Sequence, residues 1–271
     1  MALTLEAAAV VTAEARPYHR DEGLLVYHRD LAAPFDAEVR EQRLAEGTNV
    51  TFTHLAELLL DRTPFPSRVP DMIIVSYALP DWYPFMTVAA HVDHLLGGGS
   101  RCFAVSEQGL CAPFTALRIA SAYARSGRCD TMALLVLEQG TLPYHEPLVH
   151  DTPLADSGVL LRFGAAGGFH VHSVYAGLAD EPLGTVLDRA VASMPAAGTL
   201  VVAGPWTNPG ALAGRGPVLR VTAGSYCTSV WLELARQHEL WAGQYRAVVL
   251  CDTDPRSGRS QAILLRADSH P

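Results

Sequence analysis

Cys111 has the clearest setting for covalent chemistry in this chain. It follows a short apolar segment (101–106) and a turn that contains Gly109, and it comes directly before Ala112-Pro113. Proline is typical of the first turn of a helix, so Cys111 is predicted to lie at a helix start. Free N–H groups and the helix dipole there would stabilise a thiolate, which could accept an acyl group while nearby amides hold an oxyanion. The alternative is a small buried core residue.

The segments on either side predict the elements that position Cys111. The run 113–126 is apolar on more than one face, which is typical of an interior helix, and 131–137 is an unbroken apolar run, as in a strand covered on both faces. Residues 16–49 are predicted to be irregular, with a surface helix over 36–45. The other predicted strands cover 3–11, 158–163, 168–175, 198–203, 217–221, 246–251 and 261–266. The other predicted helices cover 54–61, 84–96 and 182–193, and residues 225–238 are predicted to form a turn and then a helix. This alternation predicts an α/β protein.

Composition argues against several classes of function. All twenty basic residues are arginine, which excludes a Schiff-base lysine, and the formal charge of −8 argues against nucleic acid or an anionic membrane as a partner. No apolar run approaches the length of a membrane span, and the N-terminal residues lack a signal-peptide pattern, so we expect a cytoplasmic protein.

Metal and cofactor sites are not expected. The five cysteines are widely spaced without a CxxC pair, so neither a zinc site nor a disulfide framework is indicated. His91, Asp93 and His94 have a spacing that could bind zinc on a helix, but a solvated helix face is the favoured interpretation.

Four segments resemble the thiolase-like condensing enzymes, nearest the β-ketoacyl-ACP synthase III group. The segment 106–117 (SEQGLCAPFTAL) resembles the nucleophile segment of that family, and 133–138 resembles its next strand, which ends in glutamate. Residues 71–81 resemble the family's strand that runs into a Thr-x-x-Pro-Asp-like loop, and 154–161 resemble its Gly-Asp-Gly-Ala strand. The order and spacing of the four segments agree with the family from about 54 to 164.

The resemblance implies a thiolase-like fold of two similar halves in a five-layered α/β/α/β/α arrangement. Residues 1–165 would form the half with the nucleophile, and 166–271 a shortened second half. A weak duplication agrees with this division, because helix 113–126 and its two following strands recur in type and order from 228 to 266. The implied partners are an acyl carrier protein or acyl-CoA, and either a second copy or a related ketosynthase in a dimer.

The sequence departs from the family at the other catalytic positions. The family uses a histidine from a His-Gln-Ala-Asn run, where this chain has Pro205 and keeps only Asn208 as a catalytic candidate. The family's catalytic asparagine is replaced by Gly224, which together with Ser225 is a substrate-binding candidate. Gly258 is the one residue that could still serve in the family's glycine-rich loop. Proline and glycine have no side-chain donor, so we expect decarboxylative condensation to be lost or very slow.

Two functions follow from these departures. In the first, the protein handles an acyl thioester of fatty-acid, polyketide or secondary-metabolite biosynthesis and transfers the acyl group through Cys111 to an alcohol, amine or thiol. This reaction needs a base, for which the candidates are His145, His150, His170 and His172. In the second, the chain is a catalytically degenerate subunit that completes a heterodimer with an intact ketosynthase.

Overall fold

The computed structural model describes residues 3–63, 69–152, 154–192, 194–195 and 198–267. Ten strands lie in this part of the chain: β1 (Thr4–Thr12), β2 (Met72–Tyr77), β3 (Arg101–Val105), β4 (Met132–Glu138), β5 (Ser157–Gly164), β6 (Phe169–Ala176), β7 (Thr199–Ala203), β8 (Val218–Arg220), β9 (Ala247–Thr253) and β10 (Ser260–Ala267). The α-helices are α1 (Glu22–Ala32), α2 (Glu41–Glu46), α3 (Phe52–Arg62), α4 (Val88–Leu95), α5 (Ala112–Arg125), α6 (Pro147–His150), α7 (Leu183–Val191) and α8 (Ser229–Gln244).

The strands form two sets of five that have the same order. The first set runs β3-β2-β4-β5-β1, and the second runs β8-β7-β9-β10-β6. In both sets the first three strands are parallel and the last two join antiparallel. In the described residues, the two sets are joined where Thr4 and Leu5 of β1 pair with His170 and Phe169 of β6. The predicted division at 165/166 falls between β5 and β6 and stays a prediction.

Helices α5 and α8 lie between the two sheets and give the molecule five layers. The side chains of a strand alternate between its two faces, and in the central strands both faces are buried. On β4, Leu134 and Val136 pack into the core around α5 and α8, whereas Leu135 and Leu137 pack into the outer core with α3 and α4. On the other sheet, α7 covers the outer face. The five-layered α/β/α/β/α arrangement predicted from the sequence is therefore confirmed.

Two local predictions were wrong. The helix predicted over 36–45 begins only at Glu41, and the segment before it, predicted to be irregular, forms α1. Asp21 starts α1 by accepting a hydrogen bond from the N–H of Leu24, and the helix buries Leu24 and Leu25 in a small separate cluster that includes Trp82. The sequence signal for this helix was an N-cap aspartate followed by residues at a helical spacing, which the structure buries: Leu24, Leu25, His28 and Ala32.

The second half is shorter than the first at one defined place. Helix α4 connects β2 to β3, but only a 3₁₀ turn (Pro209–Leu212) lies between β7 and β8, and β8 has three residues. In the described ranges, no helix combines the length and the apolar character that crossing a membrane requires.

Candidate functional site

Cys111 lies at the start of α5, as the sequence predicts. It ends the 3₁₀ turn Gly109–Cys111 and is the N-cap residue of α5. The side chain is 5 % exposed, and its Sγ lies 3.9 Å from the carbonyl oxygen of Arg259 on the turn between β9 and β10. The sulfur of the first half is therefore in contact with a turn of the second half.

A cavity of about 350 Å³ opens beside Cys111. Its volume is in the range of roughly 300–1,000 Å³ that is usual for small-molecule sites. The walls come from both halves of the chain and are lined by Ala78, Glu107, Gln108, Gly109, Cys111, Thr115, Arg118, Ala176, Gly177, Asp254, Arg256, Ser257, Arg259 and Gln261. The cavity thus joins the predicted nucleophile to a set of charged side chains that the sequence analysis did not single out.

The surroundings of Cys111 favour the thiol rather than the thiolate expected from the sequence. Burial, assisted by the nearby carboxylate of Asp254, raises the pKa of the Cys111 thiol to about 11. The hydrogen bond with the Gln261 side chain and the positive charge of Arg259 lower this pKa, but they do not overcome burial. At neutral pH the sulfur therefore carries its proton.

Asp254 organises the turn that faces Cys111. Its carboxylate accepts hydrogen bonds from the N–H of Arg256 (2.7 Å), the N–H of Ser257 (3.2 Å) and the hydroxyl of Tyr226 (3.1 Å). Tyr226 is fully buried and directly precedes the segment that leads into α8. The pair Asp254–Tyr226 therefore ties the turn after β9 to the start of α8 beside the cavity.

Glu138, the last residue of β4, binds the backbone N–H groups at the start of α8. Its buried carboxylate accepts hydrogen bonds from the backbone N–H groups of Tyr226 (2.6 Å), Cys227 (3.2 Å) and Thr228 (3.2 Å), and from the Thr228 hydroxyl (2.6 Å). Burial raises the pKa of Glu138, whereas these hydrogen bonds lower it. Because a protein carboxylate already occupies these donors, the start of α8 cannot offer them to a substrate oxygen. This turn precedes α8, which begins at Ser229, in agreement with the turn and helix predicted over 225–238.

Asn208 is placed away from Cys111. Its side chain is exposed, and the carboxamide oxygen accepts a hydrogen bond from the N–H of Gly210 (2.9 Å), so it caps the 3₁₀ turn that follows. It does not line the cavity of Cys111. The position of Asn208 thus gives no support to the catalytic role that was predicted for it.

The three substrate-binding candidates surround the site without lining the cavity. Gly224 has a positive φ of 128° and accepts a hydrogen bond through its carbonyl from Ala155, and Ser225 is buried next to it. Gly258 also has a positive φ and donates its N–H to the carbonyl of Asp254. These residues shape the turns on which Tyr226 and Asp254 sit, and their predicted binding role stays a prediction.

Among the histidines that the structure describes, none lines the cavity of Cys111. His145 and His150, whose ring centroids are 5.3 Å apart, face two other cavities, and His170 and His172 face a third near the far end of α5. In the part of the chain that the structure describes, no cluster of His, Cys, Asp or Glu side chains is arranged to hold a metal ion. The residues around Cys111 therefore provide carboxylate, phenol and guanidinium groups, but not imidazole.

Solved structures share this fold over the whole chain. 3-oxoacyl-(acyl carrier protein) synthase III, FabH, of Pseudomonas aeruginosa PAO1 has a TM-score of 0.64 at 14 % identity, with 100 % of both chains covered. The tetronic acid condensing enzyme AbyA1 has a TM-score of 0.66 at 14 % identity, covering 97 % of this chain and 99 % of that one. The acyltransferase ChlB3 has a TM-score of 0.65 at 10 % identity, covering 98 % of each chain.

These similarities define the fold of the chain. No family model and no curated protein matches the sequence. The chain has the fold of the thiolase-like condensing enzymes, with a cysteine at the start of one of its two central helices.

Proposed function

We propose that this protein is a ketosynthase III-like acyltransferase that accepts an acyl group from acyl-CoA or an acyl carrier protein on Cys111. The observation that carries the proposal is the position of Cys111 at the start of an interior helix, in the wall of a cavity built by both halves of the chain. In this proposal residues 1–165 and 166–271 are the two halves, and the protein acts in the cytoplasm in fatty-acid, polyketide or secondary-metabolite biosynthesis.

The reaction has two steps. In the first, a bond forms between Cys111 Sγ and the acyl carbon while the bond from that carbon to the carrier sulfur breaks, and the thiol proton ends on the released carrier. In the second, an alcohol, amine or thiol attacks the acyl-cysteine, the bond to Sγ breaks, and the acceptor's proton returns to the sulfur. Because the thiol is protonated at neutral pH, the first step requires that its proton be removed as the carbonyl is attacked.

The residues at the family's donor positions favour acyl transfer over condensation. Decarboxylation of a malonyl group leaves an enolate that must be stabilised by hydrogen-bond donors or positive charge at its oxygen. The family positions for these donors hold Pro205 and Gly224, and neither lines the cavity. Transfer to an external nucleophile does not pass through an enolate and therefore does not need them.

A second function is supported by the electrostatics of the same cysteine. The thiol of Cys111 is buried and has a raised pKa, and Glu138 already occupies the N–H donors at the start of α8. Both features fit a subunit that keeps the fold but has lost catalytic activity. In that case the edge strand β3, which among the described strands pairs with β2 alone, would join a related ketosynthase or a second copy. An exposed row of unpaired backbone groups on an edge strand is a template for pairing with another chain.

Intact-protein mass spectrometry distinguishes the two functions. The purified protein is incubated with acetyl-CoA, butyryl-CoA, succinyl-CoA and the corresponding acyl carrier thioesters, and the mass increase is measured. An adduct that is absent from Cys111→Ala but present in Cys102→Ala supports the transferase, since Cys102 is partly exposed and lies outside the cavity. If no adduct forms and the protein co-purifies with a ketosynthase, the transferase proposal is wrong and the subunit function is supported.

A further inference from the structure

One face of α5 presents polar groups to the cavity in line with Cys111. Thr115 and Arg118 follow Cys111 at intervals of four and seven residues, which places the three on the same side of a helix. The hydroxyl of Thr115 donates a hydrogen bond to the side-chain oxygen of Gln108 (2.6 Å), which also lines the cavity. A group attached to the sulfur would therefore extend along a polar stripe that ends at a guanidinium.

Arg118 and Arg259 bring positive charge that no carboxylate neutralises directly. Neither side chain forms an ion pair with any residue in the described ranges, whereas Arg256, the third arginine of the cavity, is paired with Glu146. The acid with the largest effect on the pKa of Cys111, Asp254, already accepts three hydrogen bonds from the protein. The two unpaired guanidinium groups are therefore free to bind an anion.

The lining of this cavity offers few apolar side chains that an alkyl chain could contact. Apart from Cys111 and the glycines, the apolar lining side chains are Ala78 and Ala176, and the other lining groups are charged, hydroxyl or amide side chains. Burying an alkyl group here would remove water from those groups without replacing their hydrogen bonds, which is unfavourable. A charged end group would instead replace that water with hydrogen bonds from guanidinium donors.

We propose that the acyl group carried on Cys111 ends in a carboxylate that Arg118 and Arg259 bind. This inference rests on the proposed acyl transfer through Cys111. A guanidinium presents a planar set of donors that matches a carboxylate in two parallel hydrogen bonds. Glu107 also lines the cavity and is exposed, and it opposes binding of an anion from the solvent side.

The positions of the arginines fit the end of a short acyl group better than the phosphate of a pantetheine arm. The carbonyl of Arg259 is 3.9 Å from Cys111 Sγ. Arg118 begins seven residues along α5, which is about 10 Å at a rise of about 1.5 Å per residue, and its side chain reaches back into the cavity. In a phosphopantetheine thioester, two amide-linked segments separate the phosphate from the reacting sulfur, whereas in a four-carbon dicarboxylic acyl group two methylenes separate the carboxylate from the thioester carbonyl.

The test compares succinyl-CoA with butyryl-CoA, which have the same number of acyl carbons and the same CoA phosphates. Initial rates of adduct formation on Cys111 are measured by intact mass. We expect succinyl transfer to be about tenfold faster or more, as charge-assisted hydrogen bonds to a carboxylate predict. Arg118→Leu and Arg259→Leu should each reduce the succinyl/butyryl ratio severalfold. The matched control is Arg125→Leu, on the same helix but outside the cavity, which should keep the wild-type ratio.

Two further variants keep the result interpretable. Arg118→Lys retains the charge without the planar set of donors and should give an intermediate ratio, and Glu107→Gln should raise the succinyl rate because it removes a repelling charge. If butyryl and succinyl groups are transferred at the same rate, or if Arg125→Leu lowers the ratio as much as Arg118→Leu, the carboxylate inference is wrong while the transferase proposal stands. If no acyl-CoA labels Cys111, the transferase proposal fails and the inference fails with it.

Discussion

Gly109 leaves no room for a side chain because the carboxylate of Asp254 occupies the space where its Cβ would lie. The Tyr226 hydroxyl is also within 2.5 Å of that position. Gly109 has a positive φ of 54°, which glycine adopts without strain. The backbone of the turn that precedes Cys111 therefore packs directly against the turn that follows β9. This contact fixes the sulfur relative to the second half of the chain.

Replacing Gly109 by alanine should cost more stability than replacing Gly127, because only Gly109 has a close neighbour. Both glycines have positive φ, so both alanine variants bear a similar backbone strain, but nothing lies within 4 Å of a Cβ on Gly127. We expect the additional loss at Gly109 to be about 1–3 kcal/mol, the usual cost of overpacking. Urea unfolding of the two variants measures the difference. Equal losses would show that the contact with Asp254 does not constrain the turn.

The alkylation rate of Cys111 should still be rising at pH 10. With a pKa of about 11, the thiolate fraction increases roughly tenfold for each pH unit below that value. Labelling with iodoacetamide, followed by mass analysis of the Cys111 peptide, gives the rate at each pH. Asp254→Asn removes a negative charge that raises this pKa, so its profile should shift to lower pH. A plateau reached by pH 9 in the wild type would contradict the assignment.

Because of the titration of Asp252, the protein should become less stable as the pH rises from about 4 to 7. Burial raises the pKa of Asp252 to about 7, although hydrogen bonds, including those from Thr207 and Ser229, oppose the rise. The folded state then holds this proton more tightly than the unfolded state does, so the free energy of unfolding falls between the two pKa values. The change is on the order of 1.4 kcal/mol per unit of pKa difference.

Asp252→Asn removes this titration and should flatten the stability profile over that range. Thermal or urea unfolding at several pH values gives the two profiles. Asp81, whose pKa burial also raises to about 7, provides an independent carboxyl for comparison, and Asp81→Asn should remove a separate part of the slope. The assignment to Asp252 is refuted if its variant keeps the wild-type slope.

Malonyl-CoA incubated with the protein and an acyl donor should release no carbon dioxide above the rate in buffer. The cavity of Cys111 contains no imidazole, and proline and glycine stand at the family positions of the catalytic histidine and asparagine. Without those two donors an enolate oxygen lacks the hydrogen bonds that the family positions supply. Release of labelled carbon dioxide from malonyl-CoA labelled at its carboxyl group is the measurement. Rapid release that depends on Cys111 would restore condensation as the function.

The sequence could predict the elements that depend on neighbouring residues, but not the contacts of the cavity, which join distant parts of the chain. Cys111 and its helix are visible because a glycine turn, a proline and an apolar run are neighbours in the chain. Asp254 and Tyr226 were missed, although an Asp-Pro-Arg-Ser-Gly run after an apolar strand is a clear turn signal. That signal predicts a turn, but it carries no information about which side chain, more than a hundred residues away, the turn faces.

The sequence by itself determined the α/β class, the duplicated order of elements and the cysteine at the start of an interior helix. Hydrophobic periodicity and turn-forming residues reveal these features because both depend only on neighbouring residues. Only the tertiary structure decided that Arg259 and Asp254 meet Cys111 and that Asn208 does not. Stacking of the two sheets on α5 and α8 brings those loops together across 143 to 148 residues. The burial that results is what keeps the proton on the sulfur.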